Sequence, residues 1–305
     1  MGYCFDAQET VSNGVRRIAR EQLHKALECT KPHTTPQDEA VHDIRVACKK
    51  LRSLLRLVRT KSKDTVLSRE NACYRDAGRL LSEVRDTTAM LAALDKLIAH
   101  SSGQVARHAF DDVRKPFLRK QRTQRSQKKH AIAEVARLLA SARRRVANWP
   151  IDHEGFSALR RGLRHTYTRG RTTQAQVHAT PTVETLHEWR KSVKDLGYQV
   201  RLLKPMWPEV LGCLADELER LADYLSDNHD LAILRQALKK LTHEDETQME
   251  ALVAIIDQRR SELEVEAQHL GARIYGEKPN DFVRRLSRYW ESWCAEMKAG
   301  RLSPP

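Results

Sequence analysis

VHDIRVACKKLRSLLRLVR occupies residues 41–59, and LHEWRKSVKDLGYQVRLLK occupies residues 186–204. The two stretches align at an offset of 145 residues. In the first, Val41, Ile44, Cys48, Leu51, Leu55 and Val58 are apolar. In the second, Leu186, Trp189, Val193, Leu196, Val200 and Leu203 hold the same places. Both series step by three and four residues, the spacing of one helix face turned toward a core. A half-buried strand would alternate every second residue, and neither stretch does.

The same rhythm recurs one residue on. His42, Arg45, Lys49, Arg52, Arg56 and Arg59 form a second series, and His187, Arg190, Lys194, Gly197, Arg201 and Lys204 repeat it. One residue is a rotation of about 100°, so this stripe flanks the buried seam and does not point straight into solvent. Like charges at i,i+4 repel one another. No acid falls within either stripe to relieve the repulsion. A cationic row kept twice in register is suited to a linear polyanion. Arg offers phosphate a planar fork, and Lys a compact point charge. The two histidines can titrate beside an anion, or serve as structural donors to backbone carbonyls.

Working outward, the duplication extends over most of each half. Arg16, Arg17 and Arg20 align with Arg160, Arg161 and Arg164, and LLSEVRD (80–86) aligns with YLSDNHD (224–230). Arg16, Arg20, Arg160 and Arg164 are therefore expected to line the site beside the stripes. Thr35-Pro36 recurs as Thr180-Pro181, each read as an N-cap threonine followed by a first-turn proline. Periodicity and proline positions predict helices over 8–30, 36–60, 64–100, 104–147, 153–172, 181–204, 208–242, 245–274 and 279–298. The fold class expected is all-α. Residues 8–150 and 151–300 are read as two four-helix bundles related by a pseudo-twofold axis, within one domain spanning 1–305.

The chain of 305 residues carries a formal charge of +14, and 40% of its residues are hydrophobic. That fraction can build a core, and no apolar run is long enough for a membrane span. The N-terminus lacks the basic and apolar regions of a signal peptide. Six scattered cysteines without a CxxC pair fit reduced thiols and a cytoplasmic setting. Residues 1–150 hold 31 Lys/Arg against 16 Asp/Glu, whereas 151–305 hold 23 against 24. The charge excess thus belongs to the first half. The run 114–130, Arg143–Arg145 and the acidic stretch 209–230 read as solvated faces.

With His42-x-x-Arg45-x-x-x-Lys49-x-x-Arg52 and its echo His187-x-x-Arg190-x-x-x-Lys194, the chain resembles the CHAD family, the conserved histidine α-helical domain. LSEVRD (81–86) is similar to that family's second signature. The resemblance runs over about residues 8–298. It implies two helical bundles around a basic cavity, binding of inorganic polyphosphate and no catalytic step; no metal and no cofactor are expected. It also implies a place on polyphosphate or polyhydroxyalkanoate granules. No ExExK strand motif of a fused CYTH domain is present. Carried over residue by residue, the polyphosphate-binding set is His42, Arg45, Lys49, Arg52, Arg56, His187, Arg190, Lys194 and Arg201. Half two departs from the pattern at Gly197, at Asp195 (where half one has Lys50) and at Asn228-His229-Asp230. Half one is therefore expected to contribute more of the affinity.

A nucleic-acid-binding helical protein is the alternative that the charge permits. Aromatics make up 6% of the chain and none interleaves the stripes as a stacking platform would. An enzyme would need further ligands beside His229-Asp230, or a Gly-rich phosphate loop, and neither is visible. In RRLSRYWESW (284–293), Trp290 and Trp293 either pack into the core or form a docking face.

Overall fold

The computed structural model describes residues 2–31, 35–58, 65–82, 86–100, 107–151, 153–239 and 246–300. Among them every regular element is helical, and the fold is all-α. In the first half α1 spans Val11–Glu28, α2 Gln37–Val58, α3 Thr65–Leu80, α4 Asp86–His100, α5 Arg107–Thr123 and α6 Arg125–Arg145. In the second, α7 spans Ser157–Ala179, α8 Val183–Leu203, α9 Pro208–Leu238, α10 Glu246–Ile274 and α11 Pro279–Lys298.

Several boundaries differ from the sequence expectation, each for a local reason. The stretch 64–100 is two helices, α3 and α4, with a turn at Leu81-Ser82 ending the first. The stretch 104–147 is likewise two, meeting at Gln124. Pro116 sits inside α5 and does not end it. Helix α7 runs on to Ala179, and Thr180 closes it, its amide donating to the Gln176 carbonyl at 2.8 Å. The cap of α8 is Thr182, two residues past the expected Thr180. Thr182 accepts from the Thr185 amide at 3.1 Å, while Thr185 Oγ1 accepts from the Thr182 amide at 2.9 Å. This reciprocal pair satisfies two N-terminal donors, which a single threonine at 180 could not do. In α2 the Pro36 carbonyl accepts from the Ala40 amide at 2.9 Å, so Pro36 precedes the first helical residue.

Both apolar seams are buried. Val41, Ile44, Cys48, Leu51, Leu55 and Val58 lie in the core, as do Leu186, Trp189, Val193, Leu196, Val200 and Leu203. Neighbour relations repeat between the halves: α2 lies between α1 and α3, α8 between α7 and α9, and α6 and α11 pack on α1 and α7. The halves meet where α2 packs on α7 and α8. Gly162 of α7 makes that approach possible, because a Cβ there would stand 2.0 Å from the Leu57 carbonyl oxygen of α2. The main core runs through both halves. A second cluster joins α4 and α5 (Leu94, Leu97, Phe117) to α9 and α10 (Leu234, Leu238, Ile256). Trp290 and Trp293 are buried, so the C-terminal aromatics are core. Within 114–130, Lys128 is buried and pairs with Asp38, so that run is not wholly a solvated face.

Candidate functional site

The stripe of α2 is half-buried along Arg45, Lys49, Arg52 and Arg56, and exposed at His42. Arg59 lies outside the described residues. Arg45 donates to the Gly78 carbonyl at 2.6 Å and to Ser82 Oγ. Ser82 in turn donates to Gly78 at 2.9 Å. Half two repeats this contact: Arg190 Nε donates to Ser226 Oγ at 2.9 Å, and Ser226 donates to the Ala222 carbonyl at 2.5 Å. The pairs Ser82/Ser226 and Gly78/Ala222 are 144 residues apart, so α3 and the first part of α9 are structural counterparts. Each anchors the first arginine of its stripe.

With that register, the helices beside the stripes carry opposite charge. Arg52 Nε reaches Asn71 Oδ1 of α3 at 3.3 Å, and Arg75 and Arg79 lie on the following turns, paired with Asp76 at 2.8 and 3.9 Å. Their half-two counterparts are Glu219 and Asp223. Arg201 pairs with Glu219, and the Asp223 carboxyl lies within the electrostatic reach of Lys194. Burial first, then Arg56, push the Arg52 guanidinium down to about 10. It stays charged at neutral pH, among like charges that an incoming anion would relieve. Partial burial raises the Asp223 carboxyl above the usual range, against the pull of Lys194. The acidic stretch 209–230 is therefore not simply an outer face. Glu219 and Asp223 stand against the half-two stripe.

The stripes meet where α2 crosses α8. Arg56 Nη1 donates to Asp195 Oδ1 at 2.5 Å, and Arg169 lies 3.7 Å from Oδ2. Ser53 Oγ donates to the Asp195 carbonyl at 2.9 Å. Burial raises the Asp195 carboxyl, against the pull of Arg56 and Arg169. The counterpart crossing is Lys50 near Arg201. Lys50 sits 5.1 Å from the Tyr3 ring centroid, and burial first, then Arg201, lower its pKa. One crossing is an ion pair and the other sets two cations near each other.

His187 lies against His229 of α9, ring centroids 4.6 Å apart and the planes tilted by 35°. Burial, then Lys191 and Arg190, lower the His187 pKa. Burial, then Arg190 and His187, push His229 down to about 4. The Nδ1 atoms of both rings are buried without a hydrogen-bond partner among the described residues. The sequence counterpart of His229 in half one is Arg85, which lies outside the described residues.

The expected co-liners are placed elsewhere. Arg16 donates to Ser12 at 2.5 Å and to the Trp149 carbonyl at 2.9 Å, which turns it toward the end of α6, and Arg20 is exposed one turn on. Arg160 and Arg164 reach Ser287 and Asn280 of α11 at 3.3 and 3.4 Å. The structure thus brings together the two stripes, without the four flanking arginines. Arg75 and Arg79 are functional candidates that periodicity along α2 and α8 does not reveal. A signal for them exists in the sequence, since the 144-residue offset pairs them with Glu219 and Asp223.

A CHAD domain model matches residues 17–239. The chain belongs to the CHAD family. The match runs from within α1 to the end of α9, stops short of α10 and α11, and contains both stripes. Comparison with curated proteins finds no match. Among the described residues of this CHAD protein, no helix is long and apolar enough to cross a membrane. Also among them, no group of three or more His, Cys, Asp or Glu is placed to hold a metal ion.

Proposed function

We propose that this CHAD protein binds inorganic polyphosphate non-catalytically along the stripes of α2 and α8, with half one holding the chain more tightly. CHAD domains bind polyphosphate in general terms. The observation that carries the finer reading is the net charge of the neighbouring helix: two arginines against one acid (Arg75 and Arg79 with Asp76) beside the α2 stripe, and the acids Glu219 and Asp223 beside that of α8. Polyphosphate presents a charge on every repeat and no base to stack. A stripe of cations without interleaved aromatics suits that chemistry better than nucleic acid. Each phosphate bound displaces condensed counterions, so affinity falls steeply with salt.

The test combines Lys49→Ala, Arg52→Ala and Arg75→Ala. At about 1 kcal/mol per cation near an anionic surface, long-chain polyphosphate affinity falls about 100-fold and the salt dependence flattens. Removing Arg190, Lys194 and Arg201 costs about tenfold, because Glu219 and Asp223 already offset part of their charge. Wild-type affinity in the first variant overturns the reading. Displacement of polyphosphate by single-stranded RNA at equal charge concentration would point to nucleic acid instead.

A further inference from the structure

Helices α7 and α11 enclose an open groove on the far side of α7 from the stripes. Two adjoining cavities, of about 870 Å³ and about 720 Å³, make it up. Both are lined by Arg161, Arg164, Asn280 and Arg284. Arg160 and Arg288 line the second, and Lys278 and His165 the first. Six permanent cations thus face two acids, Asp281 and Glu291. Both acids are engaged, Asp281 with Arg284 at 2.6 Å and Glu291 with Ser287 at 3.1 Å. Among the described residues, Arg160 and Arg164 bond to neutral partners at long range, Ser287 and Asn280. The N-terminus of the 20-residue α11 opens at one end of the groove and adds partial positive charge.

Half one has the counterpart arginines but not the groove's charge. Arg17, the counterpart of Arg161, is bound to Glu9 at 2.5 Å, to Glu21 at 3.2 Å and to the Cys4 carbonyl at 2.9 Å. Its charge is neutralised inside the protein. Gly162, which packs on α2, lies about 160° around α7 from Arg160 and from Arg164, so the groove faces away from α2. Helix α11 also lies beyond the residues that match the family.

From these observations we infer that the α7–α11 groove is a second anion site of this chain, taking a stretch of phosphate chain separately from the α2 and α8 stripes. The inference rests on the polyphosphate reading for the identity of the ligand. The lining of α7 from Ser157 to Thr168 spans about 17 Å at 1.5 Å per residue, long enough for several consecutive phosphates. Arginines rise from both walls, Arg160, Arg161 and Arg164 from α7 and Arg284 and Arg288 from α11, so a chain lying between them is held from two sides.

The test uses the full chain with Arg161→Ala, Arg284→Ala and Arg288→Ala together, all at exposed positions. The probes are long-chain polyphosphate and tripolyphosphate, followed by titration calorimetry at several salt concentrations. The groove variant is expected to bind long chains about tenfold more weakly. Its salt slope should fall by about two, at roughly 0.7 for each phosphate no longer neutralised. It also loses one equivalent of tripolyphosphate, which the stripe variant described above retains. The corresponding triple lysine variant keeps the wild-type salt slope. The inference is overturned if the groove variant binds the same number of tripolyphosphates with an unchanged slope, or if the lysine variant loses as much as the alanine one. A stripe variant that binds long chains like wild type, beside a groove variant that does not, overturns the stripe reading and leaves the groove standing.

Discussion

Half one and half two carry the same backbone motif and opposite surroundings. Arg45 on Ser82 and Arg190 on Ser226 are the same contact made twice. Around it, Arg75 and Arg79 are matched by Glu219 and Asp223, Lys50 by Asp195, and Arg52 by Gly197. On the outer side, Arg17 is held by Glu9 and Glu21, and its counterpart Arg161 lines an open groove whose walls carry six permanent cations and two acids. The two copies share a scaffold, and charge is distributed unequally over them.

The sharpest way to break this comparison is to rewrite half two as half one. Glu219→Arg with Asp223→Arg should tighten long-chain polyphosphate binding about tenfold or more and steepen its salt dependence. Equal affinity in that variant would mean that the neighbouring helix does not set the strength of the stripe. Asp195→Asn acts on the crossing of the two halves. It removes a buried partner of Arg56 and Arg169, so thermal or urea unfolding should show a loss of about 1 to 3 kcal/mol. The same substitution releases Arg56 and Arg169 toward phosphate, and binding should tighten about threefold. Loss of both stability and affinity would show that Asp195 positions the stripe rather than masking it.

The smallest effect concerns the histidine pair, which in half two is half-buried while His42 of half one is exposed. The unfolded chain takes up protons on these histidines as pH falls through about 6.5, but folded His229 resists until about 4. The unfolded state therefore binds more protons in that window. Stability is full above about pH 6.5 and declines toward pH 4. Urea midpoints at pH 7 and pH 5 should differ less in His229→Gln than in wild type. An identical difference in both would remove His229 from the account.

The seams and stripes of α2 and α8 are legible in the sequence because a single helix fixes both, through a repeat of three and four residues. The duplication makes the register readable as well. What cannot be read is anything set by which helix lies alongside. Arg160 and Arg164 share their spacing with a stripe residue pair, yet α11 stands on their side of α7 and turns them into a different groove. Arg16 is drawn to the Trp149 carbonyl at a distance of 133 residues in sequence. The turn at Leu81-Ser82 that ends α3 carries no Gly or Pro to announce it. At Thr182 the better cap lies two residues beyond Thr180, and only the reciprocal bond from Thr185 decides between them.

Gly162 has a mechanical consequence. With a carbonyl oxygen 2.0 Å from where its Cβ would be, α7 and α2 touch backbone to backbone. No side chain lies between them at that point to act as a compressible spacer. The seam between the two halves that carry the basic rows is thereby gauged at this point by peptide groups, as the jaws of a fixed caliper are set by its frame. A ligand that engages both rows must supply the bending itself, and an inorganic chain of single bonds has that compliance where a duplex does not.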